Sequence, residues 1–282
     1  MHYAKYHGLG NDYLMIRPEH VGPDPETILT RDVIARICRR RFGIGADGIL
    51  LGPLPSTTCD FRLQIYNSDG TEAEKSGNGL RIFARFLADQ GLVSEEPFRV
   101  ETAGGVVTCE VQGELIRVEM GEVRFLSTDI PMTGPPRQAL NETLLIEGET
   151  LTYCAATVGN PHCVVLRDDP SPEEARRFGP LIEHHPDFPR RTNVQFMTPI
   201  DRRNIRIEIW ERGSGYTLAS GSSSTASAAV ARRLDLCDER ITVHMPGGRL
   251  DLQFDDAFRA TLIGPVSRVG SGDIDPGLIS GS

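Results

Sequence analysis

Short apolar runs alternate with clusters of glycine, proline and asparagine along the chain, a rhythm that predicts many strands and few helices. Residues 3–6 and 13–16 read as strands of a hairpin around His7-Gly8-Leu9-Gly10-Asn11-Asp12. From Asp32 to Arg41, Val33, Ile34, Ile37 and Cys38 recur at helical spacing, with Thr30 as the cap. Strands are predicted at 48–51, 61–67, 98–102, 105–111 and 115–121. Pro131 to Pro136 interrupts the periodicity and is the best linker candidate. The second half repeats the plan. It has strands near 144–146, 152–158, 162–165, 193–197, 205–210, 241–245, 250–254 and 259–263, and a helix after Ser171-Pro172-Glu173-Glu174. Such a repeat suggests two similar β-rich halves with a site between them.

Two segments about half a chain apart echo each other. Lys75-Ser76-Gly77-Asn78-Gly79 precedes the apolar-periodic run 80–87, and Ala219-Ser220-Gly221-Ser222-Ser223 precedes the alanine-rich run 225–234. Each reads as a Ser-Gly turn opening a helix. Taken singly, that is ordinary N-capping, because serine is among the preferred caps. As a pair, two helix starts offer unpaired N–H groups and the positive dipole end to a carboxylate or developing anion. Serine stands where thiols would be better acids and bases.

The chain has 282 residues, 39% hydrophobic and 24% charged, enough for one large or two medium domains. A formal net charge of −9 argues against a nucleic-acid partner, and Arg39-Arg40-Arg41 is too short a run to reverse that. No apolar stretch approaches 18 residues and the N-terminus lacks a signal-like apolar region, so no membrane partner is expected. Six cysteines without C-x-x-C spacing fit buried thiols in a reducing cytoplasm rather than a metal site or disulfide framework.

Polar residues cluster at strand ends: 7–12, Asn67-Ser68-Asp69-Gly70, Gly159-Asn160-Pro161-His162, Arg191-Thr192-Asn193 and Glu211-Arg212-Gly213. Each Asn alone reads as a turn residue. Together they outline a pocket able to fix an ammonium and a carboxylate at once. Arg212 suits a second carboxylate and Glu211 an ammonium, with a surface ion pair as the plainer alternative. Lys75 is either a solvent-exposed lysine or, if partly buried, a base.

Read together with Gly43-Ile44-Gly45-Ala46-Asp47-Gly48, 67–81, Glu101-Thr102-Ala103-Gly104-Gly105 and 210–229, these segments resemble the diaminopimelate epimerase family from end to end. That family inverts an α-carbon with two opposed acid/base residues and no cofactor. The resemblance implies an α/β fold of two pseudo-symmetric halves, each a mixed or antiparallel sheet wrapped around a central helix. Residues 1–125, joined by 268–282, would form one half and 126–267 the other, with the active site in the cleft. It assigns substrate binding to Asn11, Asn67, Gly77, Asn78, Asn160, Asn193, Glu211, Arg212, Gly221 and Ser222, and catalysis to Ser76, Ser220, His162 and Glu211. It implies a role in lysine biosynthesis, no metal, a small amino-acid substrate with a second carboxylate, and a homodimer as one assembly.

Two departures stand out. The family carries cysteine at the positions of Ser76 and Ser220, and its Gly-Thr-Gly turn is Gly221-Ser222-Ser223-Ser224 here. A serine hydroxyl is far harder to ionise than a thiol and needs an adjacent base. Three explanations stay open: engineered serines, against which Ser223, Ser224 and Thr225 argue; a natural branch with Lys75, His162 or Glu211 as the base; or an amino-acid-binding protein. Elimination, needing one good base, is the alternative reaction.

Overall fold

Alternating apolar positions form strands in nearly every predicted segment, and the computed structural model, which describes residues 1–281, groups them into two units. Met1–Val118 with the chain from Gly264 onward make the first, and Glu119–Ile263 the second. In the first unit the strands are β1 (His2–Gly8), β2 (Asn11–Ile16), β3 (Gly48–Leu54), β4 (Phe61–Asn67), β5 (Phe98–Thr102), β6 (Gly105–Gln112) and β7 (Leu115–Glu122). The second has β8 (Glu142–Ile146), β9 (Glu149–Thr157), β10 (Pro161–Leu166), β11 (Asn193–Asp201), β12 (Asn204–Glu211), β13 (Gly215–Thr217), β14 (Arg240–Met245), β15 (Gly248–Phe254) and β16 (Arg259–Pro265). A last strand, β17 (Ser267–Asp273), returns to the first unit and pairs with β1.

Both units use one pairing scheme. The first runs β17-β1-β2-β3-β4-β5-β6-β7, with β2/β3 and β4/β5 parallel and the other pairs antiparallel. The second runs β8-β9-β10-β11-β12-β14-β15-β16, with β10/β11 and β12/β14 parallel. Parallel neighbours need a crossover, and helices supply it. The short helices α1 (Pro18–Val21) and α2 (Pro25–Ile28), then α3 (Arg31–Cys38), join β2 to β3, and α4 (Gly77–Asp89) joins β4 to β5. In the second unit α5 (Pro172–Glu183) joins β10 to β11 and α6 (Gly221–Arg233) joins β12 to β14, while α7 (Pro276–Ser280) ends the chain.

The central helices are buried almost all round. α4 buries Leu80, Ile82, Phe83, Ala84, Phe86 and Leu87, whereas α6 buries small residues from Ser223 to Ala231. Hydroxyls on α6 bond back one turn, Ser224 to the Ser220 carbonyl and Thr225 to that of Gly221, both at 2.8 Å, so their burial leaves these groups satisfied. The second unit closes over a core that includes Leu151, Tyr153, Phe178, Phe188, Val194 and Phe196.

Several expectations are corrected. The first hairpin turns on Leu9-Gly10 alone, both at positive φ (57° and 90°). His7 pairs with Asp12 and Gly8 with Asn11, so these four are strand residues rather than loop. Pro131 to Pro136 lies inside the second unit; Ile130 and Met132 are in its core and the Thr133 amide donates to the Asp187 carbonyl. Strand β17 lacks apolar alternation and forms because β1 supplies a partner along its length. Cys59 is half-buried, unlike the other five thiols.

Candidate active site

Ser76 and Ser220 cap α4 and α6 from extended backbone, at φ/ψ of −140°/117° and −148°/128°. The Ser76 Oγ accepts the Gly79 amide at 3.0 Å, and the Ser220 Oγ accepts the Ser223 amide at 3.4 Å. Each hydroxyl spends a lone pair on its helix and keeps its proton to donate. The flanking amides of Gly77 and Asn78, and of Gly221 and Ser222, sit in the first turns, where helix N–H groups lack intrahelical partners.

In the first unit a directed network leads away from α4. Arg81 Nη2 donates to Asn78 Oδ1 at 2.7 Å, Asn78 Nδ2 to Asn11 Oδ1 at 2.9 Å, and Asn11 Nδ2 to Asp47 Oδ2 at 2.8 Å. Since an arginine can only donate, it fixes the orientation of both amides in turn. Arg81 is fully buried and its Nε and Nη1 have no hydrogen-bond partner; burial pushes its guanidinium down to about 9. The network ends in an ionic knot, where Asp12 accepts Lys5 at 2.9 Å and Arg40 at 2.7 Å. Burial works against ionisation of Asp12, but Arg40 and Lys5 outweigh it and hold its carboxyl below the usual range. Asn67 is exposed and bonds Thr71 at 3.0 Å, apart from this network. Lys75 is half-buried, and burial lowers its ammonium below the ordinary lysine range.

In the second unit His162 is fully buried, with Nε2 at 3.0 Å from Asn160 Oδ1. An amide oxygen accepts only, so Nε2 donates to Asn160, while Nδ1 is buried on the side of Gln195. Burial lowers the imidazole to about 3, with the charge of Arg212 adding and the side chain of Gln195 opposing, so His162 is neutral at physiological pH. Gln195 in turn donates to Ser223 Oγ at 3.0 Å, on the first turn of α6. Asn193 accepts the Arg212 amide at 3.0 Å and donates to the Pro161 carbonyl at 2.9 Å, tying β10, β11 and the loop after β12 together. Glu211, the last residue of β12, and Arg212, the first of the loop after it, are half-buried, and Arg212 Nη1 donates to the Arg190 carbonyl at 3.2 Å.

The diaminopimelate epimerase family model matches residues 3–126 and 154–269. The chain belongs to the diaminopimelate epimerase family. It is 54% identical over 276 residues to diaminopimelate epimerase 2 of a Nostoc species, covering 97% of this chain and 95% of that one. The same organism's diaminopimelate epimerase 1 is 37% identical, with coverage of 96% and 99%. The enzyme of Pelotomaculum thermopropionicum is 39% identical, with coverage of 97% and 98%. Among solved structures, a hydroxyproline epimerase from Agrobacterium vitis shares the fold, with a TM-score of 0.71, 16% identity and coverage of 98% and 93%.

Within this family member, four buried polar residues were not singled out from sequence. Tyr13 and Arg81 lay hidden in apolar runs, and Gln195 inside a strand. Glu183, 3% exposed at the end of α5, accepts Trp210 Nε1 at 2.8 Å, the Gly213 amide at 3.0 Å and Arg191 at 3.2 Å. It thereby holds both sides of Glu211-Arg212. The one available signal for Glu183 was an acidic residue on the apolar face of its helix. Among the described residues, no group of three or more His, Cys, Asp or Glu could hold a metal ion, and no helix is long and apolar enough to cross a membrane.

Proposed function

We propose that this chain inverts the α-carbon of diaminopimelate, or of a close amino acid with a second carboxylate, by proton transfer between Ser76 and Ser220. The observation that supports this most is the recurrence of one serine-capped, buried helix start at the same place in two units of identical pairing scheme. Neither serine titrates readily, so each works with a neighbour. On the second unit's side Glu211 is the neighbour that takes up a proton, and His162, which burial lowers to about 3, does so only as a bound substrate's negative charge offsets that burial. The amides of Gly77, Asn78, Gly221 and Ser222 take the α-carboxylate, whose charge suits two helix N-termini. Asn11, Asn67, Asn160 and Asn193 order the polar groups, Glu211 takes an ammonium and Arg212 the distal carboxylate. Acid and base are supplied by side chains, so the reaction runs without pyridoxal phosphate. Six free thiols suit a reducing compartment such as the cytoplasm.

Proton NMR of diaminopimelate incubated with the protein in deuterated water tests the reading. Loss of the α-proton signal, with growth of the second isomer, is the expected result. Exchange accompanied by loss of a β-substituent from a hydroxy amino acid would point to elimination. Binding without exchange would point to a receptor for the same ligand.

A further inference from the structure

The segments Gly10-Asn11-Asp12-Tyr13 and Gly159-Asn160-Pro161-His162 share a pattern, and strand pairing gives Tyr13 and His162 the same address in their units. Tyr13 on β2 lies level with Gly48 on β3, and Gly48 with Asn67 on β4. His162 on β10 lies level with Asn193 on β11; Asn193 and Glu211 sit one residue beyond the Val194–Trp210 pair. From Asn67 to Ser76 the chain advances nine residues (76 − 67), and from Glu211 to Ser220 again nine (220 − 211). Tyr13 therefore stands to Ser76 as His162 stands to Ser220.

The contact itself is present. The Tyr13 hydroxyl lies 3.4 Å from Ser76 Oγ. That is longer than most O–H···O bonds, and catalytic hydrogen bonds of this kind tighten in complexes with substrate. The ring is buried at 6% exposure in a slot that exists because residue 48 is glycine. A Cβ there would come within 2.7 Å of Tyr13 Cε1 and 2.1 Å of the Tyr66 carbonyl. The Ser76 Oγ already accepts the Gly79 amide, so its own proton is available to Tyr13.

We propose that Tyr13 is the proton partner of Ser76. As Ser76 Oγ takes the substrate's α-proton, it passes its hydroxyl proton to the Tyr13 phenolate oxygen. The Cα–H bond breaks with its electron pair left on carbon, one Ser O–H bond breaks and another forms, and a Tyr O–H bond forms. In the opposite direction the Tyr13 O–H reprotonates Ser76 as Ser76 gives its proton to the carbanion. A phenol gives up and takes back a proton far more readily than an aliphatic alcohol, so Tyr13 is the better holder of the proton that Ser76 releases. Tyr13 is thus a positioning and relay residue, acting through Ser76, and this assignment rests on the two-serine reading above. The titratable groups on the elements around it are Tyr6 on β1, whose hydroxyl donates to Asp89, Tyr66 on β4, Lys75 before α4, Arg81 on α4, and the Lys5-Asp12-Arg40-Asp47 cluster.

The test follows α-proton exchange of diaminopimelate across pH. Tyr13→Phe should lower kcat by roughly tenfold or more with KM within about twofold. Replacing Tyr13 with a fluorotyrosine, a more acidic phenol of nearly the same shape, should shift the pH at which kcat rises, set by the phenolate that accepts the proton, to lower values. In a Ser76→Cys background, where the thiol titrates on its own, Tyr13→Phe should cost at most about threefold. If Tyr13→Phe fails to fold, the fluorotyrosine profile carries the test. An active wild type whose rate and pH profile ignore both changes at Tyr13 overturns the assignment and leaves the two-serine reading standing. A wild type that exchanges no α-proton overturns both.

Discussion

Ser76 and Ser220 are placed where a thiolate would be well served. Each faces the N-terminus of a buried helix and already receives a backbone N–H from the first turn. That environment lowers a thiol's pKa, whereas a serine hydroxyl gains little ionisation from it. Thiols start near pKa ~8.5, and acid–base catalysis is most efficient when the group titrates near the working pH. The Ser76→Cys, Ser220→Cys double variant should therefore exceed wild type in diaminopimelate epimerisation by roughly a hundredfold or more, the lower end of general acid–base contributions. Each single variant should gain less, because inversion needs a base on one face and an acid on the other. A coupled assay of isomer ratio against time measures this directly. No gain in a double variant that folds and binds would mean that Ser223, Ser224 or the pocket has been rebuilt for another reaction.

At the level of elements, α5 does more for the site than its sequence suggests. Gly179 lets the helix close on Trp210, since a Cβ there would lie 2.5 Å from Trp210 Cγ. One turn later Glu183 accepts the indole N–H and the Gly213 amide, so one carboxylate anchors the end of β12, which carries Glu211, and the loop after it, which carries Arg212. Glu183→Ala would leave buried donors unsatisfied at a cost of roughly 2–4 kcal/mol. The melting temperature should fall by roughly 5–10 °C. Trp210 is the single tryptophan, so its fluorescence should report the loosened loop without interference. Glu183→Gln, which keeps acceptor oxygen, should fall between the two. An unchanged melting temperature and emission in Glu183→Ala would refute the anchoring role.

For the molecule as a whole, buried titratable groups couple the fold to pH. His162 is neutral in the folded protein down to about pH 3, whereas in the unfolded chain it ionises near 6.5. Between those values the unfolded state binds one more proton, so stability from this residue is complete above about 6.5 and declines as pH falls toward about 3. The decline is about 1.4 kcal/mol per pH unit at its steepest. Denaturant unfolding of wild type and His162→Gln between pH 7 and 4 should show the variant's slope smaller by one proton. Equal slopes would mean that His162 gains its proton in the folded state as easily as out of it.

What was legible in the sequence is what neighbours along the chain decide. Helix caps at Thr30, Ser76, Ser171 and Ser220 act on an amide three residues ahead, and strand periodicity repeats every second residue. Those local rules located both serine-capped helices and most strands, and family resemblance supplied the Asn, His, Glu and Arg positions proposed for the site. The first turn was drawn too wide because its width depends on which residues of β1 and β2 pair, not on composition. Strand β17 carries no apolar pattern of its own and exists through its pairing with β1 at the other end of the chain. Tyr13 meets Ser76 across 63 residues, and Asn11 meets Asn78 across 67. Glu183 reaches Trp210 across 27 residues and Gly213 across 30. Such contacts join groups that no local rule connects, so tertiary structure alone decided which polar residues are partners and which way their protons point.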